Sequence, residues 1–160
     1  MWVTSRAEFN TITDNRIYTD ANGASGNDSM QIDLPNGGTD IVTGNMLEKG
    51  LHSENPRFIA FGEEPANGVG ALWTNSSLLA ENNTFVNDYG AHAVAIWNDS
   101  GLPVVTASHN ELWNLPITFG SAGTQIAFSA PLAPGSTRNV ELSARPVLST
   151  EHPWRIAGLS

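Results

Sequence analysis

Four segments of the chain carry an asparagine in the same setting. "FNTITDNRI", "TDIVTGNML", "SLLAENNTF" and "PVVTASHNEL" align on Asn15, Asn45, Asn83 and Asn110. Two residues after each asparagine stands an apolar residue: Ile17, Leu47, Phe85 or Leu112. Three before it stands a small or apolar one: Ile12, Val42, Ala80 or Ala107. Five before it stand Asn10, Asp40, Leu78 and Val105. The asparagines are 30, 38 and 27 residues apart, so a unit recurs while its length varies. Asparagine is a poor strand former and is costly to bury without hydrogen-bond partners. Its return within strand-like runs demands an architecture that satisfies it each time.

A second kind of run alternates with the first. "MQIDLP" (30–35), "RFIAFG" (57–62) and "AVAIWN" (93–98) each precede an asparagine unit. With a side-chain period of two, the pairs Ile32/Leu34, Ile59/Phe61 and Val94/Ile96 point inward. Helical periodicity is weak, and 15 Gly and 9 Pro punctuate the chain. Each unit thus reads as strand, turn, asparagine-bearing strand and loop. The third unit is lengthened by a Gly-rich insertion, "EEPANGVGALWTN" (63–75).

Two folds compete for this pattern. "LPNGGTDIV" places Asn-Gly between alternating runs, the mark of a β-hairpin, and an array of hairpins gives a sandwich or barrel. Hairpins, however, do not require the same asparagine in every second strand. A right-handed parallel β-helix does, because equivalent positions of successive coils stack about 4.8 Å apart. An inward asparagine at a coil corner can then donate to the amide of the next coil and to turn backbone, which offsets its burial. The expected fold is all-β: a short right-handed parallel β-helix of about four to five coils over residues 1–129, with an asparagine ladder. An irregular, Pro-containing tail (130–160) then packs on the solenoid or caps it.

Composition narrows the partners. A chain of 160 residues suffices for one domain with a core. At 40% hydrophobic and 14% charged it is not disordered by composition. A net charge of −9 argues against nucleic acid and anionic membranes. The absence of cysteine excludes disulfides, thiolate metal sites and a thiol nucleophile. "MWVTSRAEF" holds no apolar signal-peptide core, and no window reaches 18 consecutive apolar residues.

Stacking the first runs of each unit lines Asp33, Glu63, Glu64 and Asp99 along one edge. Ca²⁺ takes six to eight oxygens, so this edge is a candidate Ca²⁺ or sugar site. A solvated turn explains the same residue types. Catalysis at this edge would fall to Glu63, Glu64 and Arg57, with Arg16 a second candidate base; surface ion pairs account for both arginines equally. Glu48 and Glu111, on the outer face of the asparagine strands and two coils apart, sit about 10 Å from each other. That is an inverting-glycosidase separation. Of five tryptophans, Trp73 in the insertion and Trp97 at a strand end, together with Asp99, are candidate sugar-binding residues. Trp113 reads as core or cap. His52, His92, His109 and His152 show no metal-binding spacing.

"SRAEFNTITDNRI", "IDLPNGG", "GNMLEKG", "SENPRFIAFGEE" and "ENNTFVND" resemble the C-terminal coils of bacterial right-handed parallel β-helix repeat proteins of the pectate-lyase-like superfamily. The resemblance spans roughly residues 4–115 and extends more loosely to "HPWRIAGLS" (152–160). It implies the solenoid fold. Related families cleave or bind acidic polysaccharides, and their Ca²⁺-dependent lyases pair Asp/Glu clusters with an Arg or Lys base. Longer relatives, which the resemblance implies are secreted or periplasmic, carry further coils before the "SRA…N" unit. This chain enters the solenoid almost at once.

A solenoid end exposes unpaired backbone and needs a cap. Either the chain is a fragment or a partner covers that end. The expectation is a homo-oligomer, with Met1, Trp2, Val3 and Phe9 at the interface; the alternative is Trp2 folded over the end of a monomer. The expected function is a non-catalytic carbohydrate-binding or structural module. The competing one is a lyase or hydrolase acting on acidic polysaccharide. The missing coils, which would shorten any long groove, weigh against the enzyme. Ca²⁺ is the only cofactor the residues suggest.

Overall fold

In each coil the residue before the repeated asparagine has a left-handed backbone: Asp14 (φ 55°), Gly44 (68°), Asn82 (53°) and His109 (53°). Asn, Asp and His enter that region more readily than other residues with side chains, and Gly has no Cβ to clash there. The chain therefore turns a corner at this position. Each expected asparagine strand is in fact two strands belonging to different sheets. The computed structural model describes residues 2–18, 29–90, 92–102, 104–115 and 117–120. Met1, residues 19–28, the last part of the expected solenoid from 121 to 129 and the tail at 130–160 lie outside the described residues.

Every coil is three strands long. The first coil holds β1 (Val3–Thr4), β2 (Phe9–Thr13) and β3 (Arg16–Tyr18). The second holds β4 (Ile32–Leu34), β5 (Thr39–Thr43) and β6 (Met46–Lys49). The third holds β7 (Arg57–Phe61), β8 (Ser77–Glu81) and β9 (Thr84–Asn87). The fourth holds β10 (Val94–Asn98), β11 (Val105–Ser108) and β12 (Glu111–Trp113), and β13 (Ile117–Gly120) follows. The strands assemble into three sheets, β1-β4-β7-β10-β13, β2-β5-β8-β11 and β3-β6-β9-β12. All pairings are parallel. Among the described residues, strands adjacent in sequence never pair, which rules out the hairpin array. The Asn36-Gly37 turn joins β4 to β5 across two sheets instead. The fold is a short right-handed parallel β-helix of about four coils.

The interior is built from columns. Ile12, Val42, Ala80 and Ala107 stack in register in one sheet. Ile17, Leu47, Phe85 and Leu112 stack in the next. All eight are buried. These are the columns that the aligned sequence predicts.

The asparagines stack with them. Asn15 Nδ2 donates to Asn45 Oδ1 (3.1 Å), Asn45 Nδ2 to Asn83 Oδ1 (3.0 Å) and Asn83 Nδ2 to Asn110 Oδ1 (3.0 Å). Each acceptor oxygen also takes the backbone N–H of the asparagine in the preceding coil, at 2.9–3.0 Å. The second amide hydrogens of Asn45, Asn83 and Asn110 reach Ile12 O, Val42 O and Ala80 O, each at 2.8 Å. Asn45, Asn83 and Asn110 are buried, whereas Asn15 is exposed.

The register of β10 and the start of the insertion refine the expected pattern. Ile59 pairs with Ile96 and Phe61 with Asn98, so Val94 stacks on Arg57 and not on Ile59. Asn98 is fully buried at the end of that column. Its Nδ2 donates to Leu102 O (2.9 Å), and its Oδ1 accepts from Ser100 N (3.0 Å) and Ser100 Oγ (2.6 Å). A polar turn thus satisfies it, while Val94 and Ile96, the expected inward pair, are both buried. The insertion is also not all loop, because it begins with a four-residue helix, α1 (Glu63–Ala66). Pro65 is tolerated there because the first turn needs no N–H from it.

Candidate functional site

On the outer face of the β4-β7-β10 sheet, Asp33, Ala60 and Trp97 form one column. Arg57, at the start of β7, lies with its Cζ 4.4 Å from the Trp97 ring centroid. Its Nη1 donates to Glu63 Oε2 at 2.7 Å and lies 3.8 Å from Asp99 Oδ2. Trp97 Nε1 donates to Asp99 Oδ2 at 2.6 Å. Glu64 accepts two hydrogen bonds from Arg6, one from Nε at 3.2 Å and one from Nη2. The fold thus brings Asp33, Arg57, Glu63, Glu64, Trp97 and Asp99 together and adds Arg6.

The pairings constrain the chemistry. Arg57 is committed to two carboxylates and a ring, with its guanidinium turned into the network. Arg6 holds the Glu64 carboxyl below its usual range, which disfavours Glu64 as a proton donor. Trp97 spends its N–H on Asp99 and has the Arg57 guanidinium beside its ring. Among the described residues no group of three or more His, Asp or Glu side chains could hold a metal ion. Glu63, Glu64 and Asp99 are each turned toward an arginine, and Asp33 stands without such a partner. Glu48 is buried and lies 3.8 Å from Arg16 Nη2. It stacks between Tyr18 and Val86, two residues along the strand from the Arg16–Met46–Thr84–Glu111 column. It therefore does not face Glu111 as a glycosidase pair. Trp113 is buried.

Two carboxyls titrate high. Burial, reinforced by Glu63 and Glu64, pushes Asp33 up to about 6. Asp40 points inward from β5 in the column of Asn10, Leu78 and Val105. Burial pushes it up to about 6 as well, against the opposing effect of an Asn10 hydrogen bond at 2.6 Å. Its second oxygen has no hydrogen-bond partner among the described residues. Unfolded aspartate titrates at about 3.9. Between roughly pH 4 and 6 the native state therefore binds more protons than the unfolded chain, and stability falls as pH rises. The melting temperature is expected to be highest near about pH 4 and to decline toward about pH 7. Asp40→Asn should remove about half of that decline. A profile that rises from pH 5 to 7 contradicts the two shifts. The pairing of Glu64 with Arg6 is lost only at more acidic pH, where it sets the acid limb.

Beside this network the insertion folds back over the β4–β5 turn. Trp73 N donates to Asn36 O (3.1 Å), Asn36 Nδ2 to Ala71 O (3.3 Å) and Trp73 Nε1 to Arg6 O (3.0 Å). Gly37 sits in this turn at φ 64°, and a Cβ there would meet Ser76 Oγ at 2.8 Å and Leu72 Cδ2 at 3.1 Å. The turn accepts the insertion only because it is glycine. The result is an open cleft of about 330 Å³ lined by Arg6, Asn36, Ala71, Leu72 and Trp73. Trp73 remains 42% exposed.

Arg6 and Leu72 were not legible as site residues from the sequence. Arg6 lies in the β1–β2 connection, where no periodicity applies. At the first coil, Trp2 and Phe9 are exposed (50% and 69%), and Val3 packs partly against the core.

Comparison of the chain with family models, curated proteins and solved structures returns no match. The β-helix stands on strand pairing alone.

Proposed function

We propose that the protein is a non-catalytic carbohydrate-binding β-helix module whose sugar platform is Trp73. The supporting observation is an exposed indole pinned at its backbone N–H and its ring N–H, at the border of a cleft that mixes apolar wall with Arg6 and Asn36. An aromatic ring held before the ligand arrives costs little ordering on binding, and such a mixed concave surface is how small-ligand sites are built. Trp97, the other aromatic candidate, is occupied by Arg57 and Asp99, so stacking falls to Trp73. The paired states of Arg57, Glu63 and Glu64 weigh against the lyase or hydrolase alternative. Trp73→Ala is expected to weaken retention in polysaccharide affinity gels at least about tenfold, ~1.4 kcal/mol, with the melting temperature little changed. Unaltered retention by the variant, on a polysaccharide that retards the parent, overturns the assignment.

In the same reading the module is a homo-oligomer. β1, β2 and β3 each end their sheet, and among the described residues no strand pairs with their outer edges. Exposed Phe9 and Trp2 flank those edges. A two-fold contact between first coils covers both sets at once. Light scattering should give twice the 17.1 kDa chain mass, and Phe9→Glu should shift it toward the monomer. A monomer at high concentration contradicts the oligomer.

A further inference from the structure

We infer that the Trp73 cleft selects neutral glycans over acidic ones; this rests on the carbohydrate-binding reading and narrows it. Among the described residues, the only cationic side chain lining the cleft is Arg6. Its charge is already spent, because Glu64 accepts from both its Nε and its Nη2. Around it the balance is negative among the described residues: the four carboxyls of Asp33, Glu63, Glu64 and Asp99 stand against the two guanidinium groups of Arg6 and Arg57. A uronate entering the cleft would add a fifth carboxylate to this field, and among the described residues no free cation lines the cleft to meet it. The chain as a whole, at −9, also repels polyanions.

What the cleft does offer suits hydroxyl groups. A guanidinium carries five N–H donors, and Glu64 takes only two of them. The others remain for hydroxyl oxygens, and the Arg6 side chain is 60% exposed. Ala71, Leu72 and the Trp73 ring form the apolar wall against which the C–H face of a pyranose can lie. The indole N–H is taken by Arg6 O, so the ring contributes surface and no donor. The volume lies at the small end of ligand sites, which fits a short stretch of chain and not a long groove.

Calorimetric titration of the intact protein tests this with three sets of probes: neutral hexaoses of gluco, manno, xylo and galacto configuration, oligogalacturonate, and oligoglucosamine. At least one neutral hexaose is expected to bind about tenfold or more tighter than either charged probe, with little change between low and high salt. Glu64→Gln releases the charge of Arg6, and oligogalacturonate is then expected to gain at least about fivefold relative to the neutral sugar. Tighter binding of oligogalacturonate or oligoglucosamine by the parent protein overturns the neutral preference while leaving carbohydrate binding intact. An unchanged acidic-to-neutral ratio in Glu64→Gln overturns the charge account of it. Failure of every probe at millimolar concentration overturns the carbohydrate-binding reading itself.

Discussion

Asn83→Leu is expected to cost the folded state about 4–6 kcal/mol in urea titration, a large share of the stability of a typical domain. Asn83 sits in the middle of the asparagine stack and is fully buried. Its Oδ1 accepts the N–H and the Nδ2 of Asn45, both at 3.0 Å. Its Nδ2 donates to Val42 O at 2.8 Å and to Asn110 Oδ1 at 3.0 Å. Leucine has a similar volume and fills the space, but it leaves these groups without their partner inside the solenoid. An unsatisfied buried donor or acceptor costs about 1–3 kcal/mol. The same change at Asn15 is expected to cost under about 1 kcal/mol, since water reaches that exposed end of the stack. Equal costs at the two positions would mean that the asparagines act through propensity and not through the stack.

Phe85→Ala is expected to cost about 3–5 kcal/mol, and Phe85→Leu no more than about 1.5 kcal/mol. Phe85 is fully buried, stacked between Leu47 and Leu112. It meets Phe58 edge-on, with ring centroids 5.5 Å apart and an interplanar angle of 74°. Its neighbours are fixed by backbone pairing to coils on both sides, so the space left by alanine has little freedom to collapse. The urea dependence of unfolding should keep its slope in both variants, because the surface exposed on unfolding is unchanged. A small loss in Phe85→Ala would show that the third coil relaxes independently of its neighbours.

The stacking was legible in the sequence because a solenoid places equivalent residues on top of one another. Four aligned segments sufficed to give the columns of Ile12 and Ile17 and the row of asparagines. The corner was not legible. Asp14, Gly44, Asn82 and His109 share no volume, charge or polarity; they share only tolerance of a left-handed backbone, which shows when the column is compared and not when each residue is weighed alone. Asn82, which has no obvious purpose beside Asn83, belongs to that column. The register of β10 escaped for another reason: a slip of two residues preserves the inward–outward alternation, so Val94/Ile96 and Ile96/Asn98 fit the period equally well. The four residues of α1 barely exceed one helical turn and carry no periodic signal.

At the site, stacking put Asp33, Glu63, Glu64 and Asp99 along one edge in the sequence, and in the structure Trp97 joins them. The pairing partners were hidden. Arg6 is 58 residues from Glu64, and nothing in the first coil marks it as the residue that neutralises an acid of the third. That pairing turns an edge that reads as an open cation site into a closed network, and it moves the candidate sugar contact from Trp97 to Trp73.

The central claim, parallel coils in one register, is open to a direct measurement because the chain has no cysteine to remove. Thr11, Ile41, Leu79 and Thr106 form one column across four coils. Spin labels on cysteines placed at Thr11/Ile41, Ile41/Leu79 and Leu79/Thr106 would each sit one coil apart, about 4.8 Å between backbones. All three pairs are expected to show strong dipolar broadening, and labels at Thr11/Thr106, three coils apart, to show far less. Sharp spectra from any of the three neighbouring pairs, in a folded variant, would contradict the stacked β-helix.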